Sequence, residues 1–287
     1  MCRTEHGGHS SQNEVIQPRA PRAFPSGIKV KLVTCMNIKR NISLGGLNGI
    51  HIDTCTSTNS LLRDMLLEGL VTPPCFLWSD LQTCGKGRLN RSWIAPQGNI
   101  NLSLAIAAPL KHPAVYQFNL LAGYALFETI QQAPALNVQI KWPNDVLINR
   151  LKVAGILSET VFEREAIVIG VGVNLNSQRG DFLPEIRDRL TTIRHETCTM
   201  TDAEPFVSDF LSRFNTVLKK YNKDGFSCVY SKIHACLAFK DEQVIFEEGP
   251  NRSLQATLMG IDPEGLLVLK TDDGLKKIIA GDIRTCF

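Results

Sequence analysis

The spacing of apolar residues predicts three amphipathic helices. Residues 57–70 read STNSLLRDMLLEGL, with Ser57 or Thr58 available as an N-cap and Gly69 as a stop. The apolar face of this first helix consists of Leu61, Leu62, Met65 and Leu66. The same helical spacing recurs over residues 112–132, with Pro113 near the start, and over residues 205–221. We expect the second helix to serve mainly as core packing.

Apolar runs between these helices predict strands. The runs cover residues 74–82, 99–108, 137–142, 145–162 and 166–176. Asn149 and Arg150 fit a tight hairpin turn that divides the fourth run in two, so residues 137–176 are expected to supply four adjacent strands. Residues 177–203 are charged and predicted to be a loop.

A change of sequence character after Gly225 predicts a second, all-β unit. Short apolar runs in residues 253–283 are separated by two turn signals, DPEG at 262–265 and DDG at 272–274. With a boundary near residues 225–235, the predicted domains are 49–228 and 229–287.

Residues 1–48 differ from both units. They contain only two acids, Glu5 and Glu14, beside seven lysines and arginines, and prolines at 18, 21 and 25. This composition predicts a disordered arm, and an organelle transit segment is the alternative. The arm is too short and irregular for a winged-helix DNA-binding domain.

Composition narrows the class of protein. The chain has 287 residues, of which 44% are hydrophobic, and 31 Lys and Arg against 28 Asp and Glu give a net charge of +3. Its nine cysteines form no C-x-x-C pair, which favours reduced thiols in an intracellular protein over a zinc site. We therefore expect no nucleic-acid partner, no membrane span and a cytoplasmic location, with an organelle as the alternative.

The strongest chemical signal is the loop GKGRLNRSW, residues 85–93. Its glycines allow close backbone approach, and Lys86, Arg88 and Arg91 have no acid in the loop to offset them. A phosphate or carboxylate is the expected ligand, and a purely structural hairpin is the alternative. Neither common nucleotide loop fits, because Asp80 and Gly87 break the P-loop pattern and Asn90 breaks G-x-G-x-x-G.

A second polar cluster follows at KWPND, residues 141–145. The Trp-Pro pair restricts the backbone, so Asn144 and Asp145 are expected at a strand end, and Lys152 follows within RLKVAGIL. An Asx turn or a helix-like cap is the alternative role of Asp145.

Together, STN at 57–59, Q-x-x-G-K-G-R at 82–88, KWPND and LKVAGIL resemble the biotin protein ligase family, also called holocarboxylase synthetases. The resemblance covers residues 50–287. It implies an α+β fold: a mixed sheet backed by helices, like that of class II aminoacyl-tRNA synthetases and biotin ligases, followed by a small SH3-like barrel. It also implies ATP and biotin as substrates, with Mg²⁺ expected and its ligands unknown. The family forms biotinyl-5′-AMP and then biotinylates a lysine of a biotin carboxyl carrier domain of a carboxylase.

The resemblance also implies roles for individual residues. The set for biotin is Ser57, Thr58, Asn59, Gln82, Lys86, Gly87, Arg88 and Lys152. The set for ATP or the adenylate is Gly85, Arg88, Arg91, Trp93, Asn144, Lys152 and Asn174. Lys152, Arg88 and Asp145 are expected to be catalytic, with Asp145 orienting or deprotonating the acceptor lysine. Residues after Ser177 resemble a flap over the adenine.

Two departures and three open questions accompany the resemblance. Many members have Arg at the position of Lys86 and Gly at that of Asn90, so this chain is expected to retain the intermediate less tightly. A lipoate-type ligase is the nearest enzymatic alternative, and a non-catalytic biotin- or carrier-binding module is the alternative from another class. A homodimer is possible, and a repressor role is not expected.

Overall fold

A computed structural model describes residues 38–108, 115–132, 136–249 and 252–285. Strands β1 to β10 span Ile38–Leu44, Leu47–Cys55, Cys75–Gln82, Gly85–Lys86, Ser92–Trp93, Ile100–Ala107, Val138–Lys141, Asp145–Ile148, Leu151–Val161 and Ala166–Val173. Helices α1 to α6 span Thr58–Leu67, Val115–Ile130, Pro184–Arg187, Ile193–Thr197, Ala203–Asp224 and Ser227–Ala235. Strands β11 to β15 span Gln243–Gly249, Arg252–Ile261, Leu267–Thr271, Gly274–Ile278 and Asp282–Thr285.

Eight of these strands form one mixed sheet in the order β1-β2-β3-β6-β10-β9-β8-β7. Strands β2 and β3 are parallel, and the other neighbours are antiparallel. Asn149 and Arg150 have φ of 51° and 69° in the turn between β8 and β9, as a tight hairpin requires. The predicted run of four adjacent strands is therefore confirmed.

The predicted helices begin and end near their sequence signals. Ser57 caps α1 by accepting a hydrogen bond from the Ser60 N–H at 3.5 Å, and Gly69 follows the helix with φ of 67°. Helix α5 begins at Ala203 and ends at Asp224, two residues earlier and three residues later than predicted, with Asp202 as its N-cap and Gly225 as its C-cap. Helix α2 begins at Val115, and Pro113 lies outside the described residues.

The two faces of the sheet carry different helices because side chains alternate along each strand. On β10, Ile167, Ile169 and Val171 face the large core that includes residues of α2 and α5. Ala166 and Val168 face the smaller core beneath α1. Gly170 and Gly172 continue that second face, so α1 covers only part of it and an open floor remains beyond Val168.

The small C-terminal module is a five-stranded antiparallel sheet in the order β14-β13-β12-β11-β15. This confirms the predicted all-β unit. The turn at Asp262–Gly265 packs on the large domain, where the Trp142 indole N–H donates to the Gly265 carbonyl at 3.2 Å. Because the buried residues of the module join the large core, the two parts share one apolar interior.

Two sequence predictions differ from the structure. Residues 38–48, predicted as part of a disordered arm, lie in β1 and the start of β2, where pairing with a buried neighbour orders them; residues 1–37 lie outside the description. The predicted loop at 177–203 contains the short helices α3 and α4. Helix α6 lies in the region where the domain boundary is predicted, and the following residues 236–238 bridge to Ile140 of β7.

No helix within the described residues has the length and apolar character needed to cross a membrane.

Asp262 is expected to stabilise the turn that contacts Trp142. Its Oδ1 accepts from the backbone N–H groups of Glu264 at 3.0 Å and Leu266 at 2.9 Å. Asp262→Ala removes this acceptor and should lower the free energy of unfolding by about 1–3 kcal/mol. Asp262→Asn keeps an oxygen for both donors and should cost less, as measured by urea unfolding.

The Asp262 effect should depend on pH. Burial alone would raise the pKa of this carboxyl, but Lys277 and the two N–H donors lower the pKa below its ordinary 3.8. A carboxyl with a lower pKa in the folded state stabilises the fold above that ordinary value and loses this contribution as the pH falls. The stability difference between wild type and Asp262→Asn should therefore shrink below about pH 3.8. A difference that stays constant down to pH 3 would contradict this.

Candidate active site

A cavity of about 860 Å³ opens on the α1 side of the sheet. Its floor is formed by Gly155 of β9 and by Gly170 and Gly172 of β10. Its wall contains almost the whole predicted set: Ser57, Thr58, Asn59, Gln82, Lys86, Gly87, Arg88, Arg91, Trp93, Asn144, Asp145, Lys152 and Asn174. Gly85 lines a second cavity that shares loop residues with the first. The structure therefore brings together side chains that are more than 100 residues apart in the chain.

The cationic loop is a small hairpin. Strands β4 and β5 pair Gly85 with Trp93 and Lys86 with Ser92, and a 3-10 turn at Arg88–Asn90 joins them. A Cβ on Gly85 would lie 2.5 Å from the Trp93 carbonyl oxygen, so only glycine fits there. Asn90 has φ of 58°, a left-handed conformation that Asn tolerates better than most residues. The position where many family members have Gly therefore still has a suitable residue.

The loop is both a structural hairpin and a source of charge. The Gly87 N–H donates to the Arg91 carbonyl at 2.7 Å, so this amide holds the hairpin together rather than facing the cavity. The positive side chains do reach the cavity. The expected anion site therefore depends on the lysine and arginines more than on this backbone N–H.

Arg88 is held by three acceptors. Its Nη1 donates to the Asn144 Oδ1 at 3.1 Å and to the Asp282 Oδ1 at 2.9 Å, and its Nη2 donates to the Gly281 carbonyl at 3.1 Å. Arg91 forms an ion pair with the other Asp282 oxygen at 2.7 Å. The loop is thus fixed to the KWPND segment and to the C-terminal module.

The KWPND segment is the turn between β7 and β8, with a cis Trp142–Pro143 bond. Asn144 and Asp145 lie at the strand end, as predicted. The Asn144 amide also donates to the Ile156 carbonyl at 2.9 Å, which orients its oxygen toward Arg88. Asp145 forms an ion pair with the Lys152 ammonium at 2.7 Å, so it is not an isolated turn residue.

Trp93 lies on the glycine floor beside Lys152. A Cβ on Gly172 would lie 2.3 Å from the Trp93 Cε2, and the Lys152 Nζ is 5.5 Å from the indole centroid. The glycine thus provides the space for the ring, and the ring provides a π-face for the ammonium. The glycines of the GVGV pattern in β10 are thus explained by space: Gly172 makes room for Trp93, and Gly170 makes room for Asn59.

A polar pocket forms at the start of α1. The Gln82 Oε1 accepts from the Thr58 N–H at 2.7 Å and from the Thr58 hydroxyl at 2.9 Å. The Asn59 amide N–H₂ donates to the Leu157 carbonyl at 3.1 Å and to Glu159 at 2.7 Å. Ser57 is engaged as the helix cap. The predicted biotin-facing side chains are therefore oriented by a shared hydrogen-bond network.

Sequence patterns missed several residues of this network. Asn101 and Ser103 point from β6 into the pocket: Asn101 accepts from Gln82 at 3.1 Å, and the Ser103 hydroxyl lies 2.7 Å from the Asn59 Oδ1. Polar residues at alternate positions of an otherwise apolar strand, N-L-S-L, were the available signal. Glu159 and Asp282 gave no local signal.

Asn174 serves the segment after Ser177 as well as the cavity. Its side-chain N–H₂ donates to the Thr191 carbonyl at 3.1 Å, and its buried Oδ1 has no hydrogen-bond partner among the residues described. The backbone of Lys152 bonds the same segment, accepting from the Thr191 N–H at 2.9 Å and donating to the Arg189 carbonyl at 3.0 Å. The segment predicted to cover the adenine is thus attached beside the two residues predicted to bind nucleotide.

Lys141 adds a further positive charge that the sequence sets did not include. It lines the cavity, and its ammonium has no hydrogen bond or ion pair with any described residue. Burial lowers the pKa of Lys141, and the nearby Lys152 and Arg91 lower it further, against the opposite effect of Asp145 and Asp282. An anion in the cavity would reduce this repulsion.

Comparisons with known proteins identify the family of this chain. Residues 52–176 match the model of the biotin/lipoate A/B protein ligase family, and residues 241–284 match the biotin protein ligase C-terminal domain. The bifunctional ligase/repressor BirA of Bacillus subtilis is 32% identical over 242 residues, which are 83% of this chain and 74% of that protein. The chain belongs to the biotin protein ligase family.

Further relatives agree with the assignment. The biotin--[acetyl-CoA-carboxylase] ligase of Paracoccus denitrificans is 31% identical over 209 residues, 70% of this chain and 86% of that one. The biotin protein ligase of Aquifex aeolicus, solved with biotin and ATP, has a TM-score of 0.73 and 27% identity over 82% of this chain and 97% of that chain. The protein is accordingly a biotin ligase enzyme, which excludes the non-catalytic alternative.

Gly172→Ala tests the glycine floor. The new methyl group would displace the Trp93 ring, and displacement of about 1 Å in an active site can cost up to about 100-fold in rate. We expect slower pyrophosphate release from biotin and ATP, together with a change in tryptophan emission that disappears in a Trp93→Phe background.

Gly249→Ala is the matched control, because a Cβ there meets nothing within 4 Å. If Gly172→Ala behaves like this control in rate and emission, the floor does not position Trp93.

Proposed function

We propose that this enzyme activates biotin with ATP to biotinyl-5′-AMP and then transfers the biotinyl group to a lysine of a biotin carboxyl carrier domain. The observation that carries the proposal is one cavity lined by a neutral hydrogen-bonding pocket and by the cations Lys86, Arg88, Arg91, Lys141 and Lys152. Biotin has a neutral ureido ring and a carboxylate, and ATP adds phosphates. The neutral pocket matches the ureido ring of biotin, and the cations match the biotin carboxylate and the ATP phosphates.

The polar pocket at the start of α1 suits the biotin ring. Thr58 and Gln82 can exchange hydrogen bonds with a ureido group, because each carries both donor and acceptor atoms. Asn59 is already bonded to Leu157, Glu159 and Ser103, so we assign it to holding the pocket shape beside the ring. Ser57 acts from the helix cap.

In the first step a biotin carboxylate oxygen attacks the α-phosphorus of ATP, and the bond from that phosphorus to pyrophosphate breaks. Both reactants are anions, so their approach is unfavourable without nearby positive charge. Arg88 and Lys152 are the cations placed to reduce this repulsion and to stabilise the charge that develops on the phosphoryl oxygens. Trp93, Asn144 and Asn174 are proposed to contact the nucleotide, with Lys86, Gly85 and Gly87 shaping the loop around it.

In the second step the acceptor lysine nitrogen attacks the biotinyl carbonyl carbon, AMP leaves, and the amine loses a proton. Asp145 has two possible chemical roles in this step, orientation of a neighbouring group and proton acceptance. Its ion pair with Lys152 favours orientation, because the carboxylate is already committed to the ammonium. We propose that Asp145 holds Lys152 toward the reacting oxygens and accepts a proton only after phosphate has drawn that ammonium away.

Mg²⁺ is expected with ATP, but the described residues offer no protein cage for it. They contain no group of three or more His, Cys, Asp or Glu side chains that could hold a metal ion. The cavity-lining acids Asp145, Asp188 and Asp282 are each in ion pairs with basic side chains. Any Mg²⁺ would therefore arrive with the ATP phosphates.

The proposal names the protein that accepts biotin only as a class, a biotin carboxyl carrier domain. The name of the Paracoccus relative specifies acetyl-CoA carboxylase for that protein. The cytoplasmic location, the lack of a nucleic-acid partner, the possible homodimer and the domain limits 49–228 and 229–287 stay predictions.

Lys152→Ala should abolish most adenylate formation while leaving the fold intact. Loss of one preorganised cation near the reacting phosphate should cost about 100-fold or more in the rate of pyrophosphate release. Lys152→Arg should recover part of the rate, and Lys220→Ala, on the exposed face of α5, is the matched control. Full activity of Lys152→Ala at an unchanged melting temperature would contradict the proposed role of Lys152 in adenylate formation.

Arg88→Gly should release biotinyl-5′-AMP before transfer. The freed adenylate would biotinylate lysines of a bystander protein, detected with labelled biotin after incubation with ATP. Unchanged selectivity between a carrier domain and the bystander would contradict a retaining role for Arg88.

The lipoate alternative has a direct test. Biotin with ATP should raise the melting temperature of the enzyme and release pyrophosphate, whereas lipoate with ATP should do neither. Lipoate-dependent pyrophosphate release without a biotin-dependent one would overturn the proposed substrate. The C-terminal match to biotin protein ligases supports biotin.

A further inference from the structure

Asp282, in the C-terminal module, contacts both arginines of the catalytic loop. One carboxylate oxygen lies 2.9 Å from the Arg88 Nη1, and the other lies 2.7 Å from the Arg91 Nη2. The preceding residue, Gly281, adds its carbonyl to the Arg88 Nη2 at 3.1 Å. Two consecutive residues of the module therefore hold the loop, and Asp282 itself lines the cavity.

The position of Asp282 is fixed by its surroundings. Gly281 has φ of 148°, and a Cβ there would lie 2.3 Å from the Phe246 ring. The next residue, Ile283, is buried, and β15 pairs with β11 through Phe246 and Glu247. The side chain of Asp282 is only 17% exposed. The carboxylate thus projects from a packed strand start, which makes it a stable anchor for a loop of high positive charge.

The contacts with Asp282 and Gly281 leave some N–H donors of Arg88 free to bind a substrate. A guanidinium has five N–H groups. Asn144 and Asp282 take the two on Nη1, and Gly281 takes one on Nη2. The Nε–H and the second Nη2–H have no partner among the described residues. The Nε and Nη2 atoms share one edge of the guanidinium, and an arginine can bind a carboxylate or phosphate through such an edge by two parallel hydrogen bonds.

We propose that Asp282 is a positioning residue of the active site. With the Gly281 carbonyl it fixes the Arg88 guanidinium so that its free edge faces the substrate anion, and through Arg91 it fixes the following turn of the loop. This inference rests on the proposed function, because it assumes that Arg88 binds the carboxylate or phosphate. The positioning carboxylate therefore belongs to the C-terminal module, whereas the arginines belong to the large domain.

An opposite role for the same contacts makes a different prediction. If Asp282 kept the arginines away from the substrate, its removal would free them, lower the KM for ATP and slow the escape of the adenylate. If it positions Arg88, its removal allows the guanidinium other orientations and weakens binding. The sign of the change therefore distinguishes positioning from inhibition.

The experiment compares Asp282→Ala and Asp282→Asn in the full chain. The readouts are the KM for ATP and the rate at which labelled biotinyl-5′-AMP leaves the enzyme. We expect Asp282→Ala to raise both by about tenfold, the effect of losing one charge-assisted hydrogen bond. Asp282→Asn keeps an oxygen for Arg88 and should recover part of the loss. Asp273→Ala removes a carboxylate that pairs with Lys276 in the same module and with no other described residue, and it should match wild type.

A double-mutant comparison with Arg88 distinguishes loss of positioning from a general loss of stability of the C-terminal module. In an Arg88→Gly background, Asp282→Ala should raise the escape rate far less than it does alone. Equal effects in both backgrounds, wild-type values for both Asp282 variants, or slower escape would overturn the inference. Absence of adenylate from the wild-type enzyme would instead refute the proposed function, and normal retention by Arg88→Gly would refute the role of Arg88.

Discussion

The site depends on keeping several positive side chains close together. Arg88, Arg91, Lys141 and Lys152 line one cavity, where like charges repel and burial increases the cost. Two carboxylates compensate: Asp145 pairs with Lys152, and Asp282 pairs with both arginines. Lys141 has no such partner within the part of the chain that the structure describes, which agrees with its lowered pKa. The remaining repulsion favours an anionic ligand over a neutral one, before any specific contact is made.

The backbone provides the room for this arrangement. Gly155, Gly170 and Gly172 lie on the sheet face that α1 leaves uncovered, and Asn59 and Trp93 occupy the space that side chains would have taken. The same strands place branched apolar residues on the opposite face, against α2 and α5. One alternating pattern thus builds a dense core on one side and a substrate floor on the other.

Much of this could be predicted from sequence where the signal is local. Some features depend only on residues that are neighbours in the sequence, so a single sequence is enough to predict them. They are the helix cap at Ser57, the turn at Asn149 and Arg150, and the alternation of β6 and β10. The candidate residues could be predicted because family motifs contain them, and the cavity brings nearly all of them together. The order at residues 38–48 was missed because β1 gains its stability from pairing with β2 rather than from its own composition.

Contacts between distant residues had no such signal. Asp282 is 194 positions from Arg88, and Glu159 is 100 positions from Asn59. An acid that begins a short strand looks like any surface acid until the fold brings arginines to it. Residues 236–238 illustrate the same limit: the Cys236 carbonyl accepts from the Ile140 N–H, and the Ala238 N–H donates to the Ile140 carbonyl of the large sheet.

The wholly buried indole of Trp142 has a consequence for how this molecule can be divided. Its ring occupies the shared interior, and its N–H depends on a carbonyl in the turn of the C-terminal module. A shortened chain without that turn would expose the ring next to the residues that hold Arg88 and Lys152. Exchange of the module between relatives therefore requires a matching surface around this tryptophan, and the two parts have to be designed as a single unit.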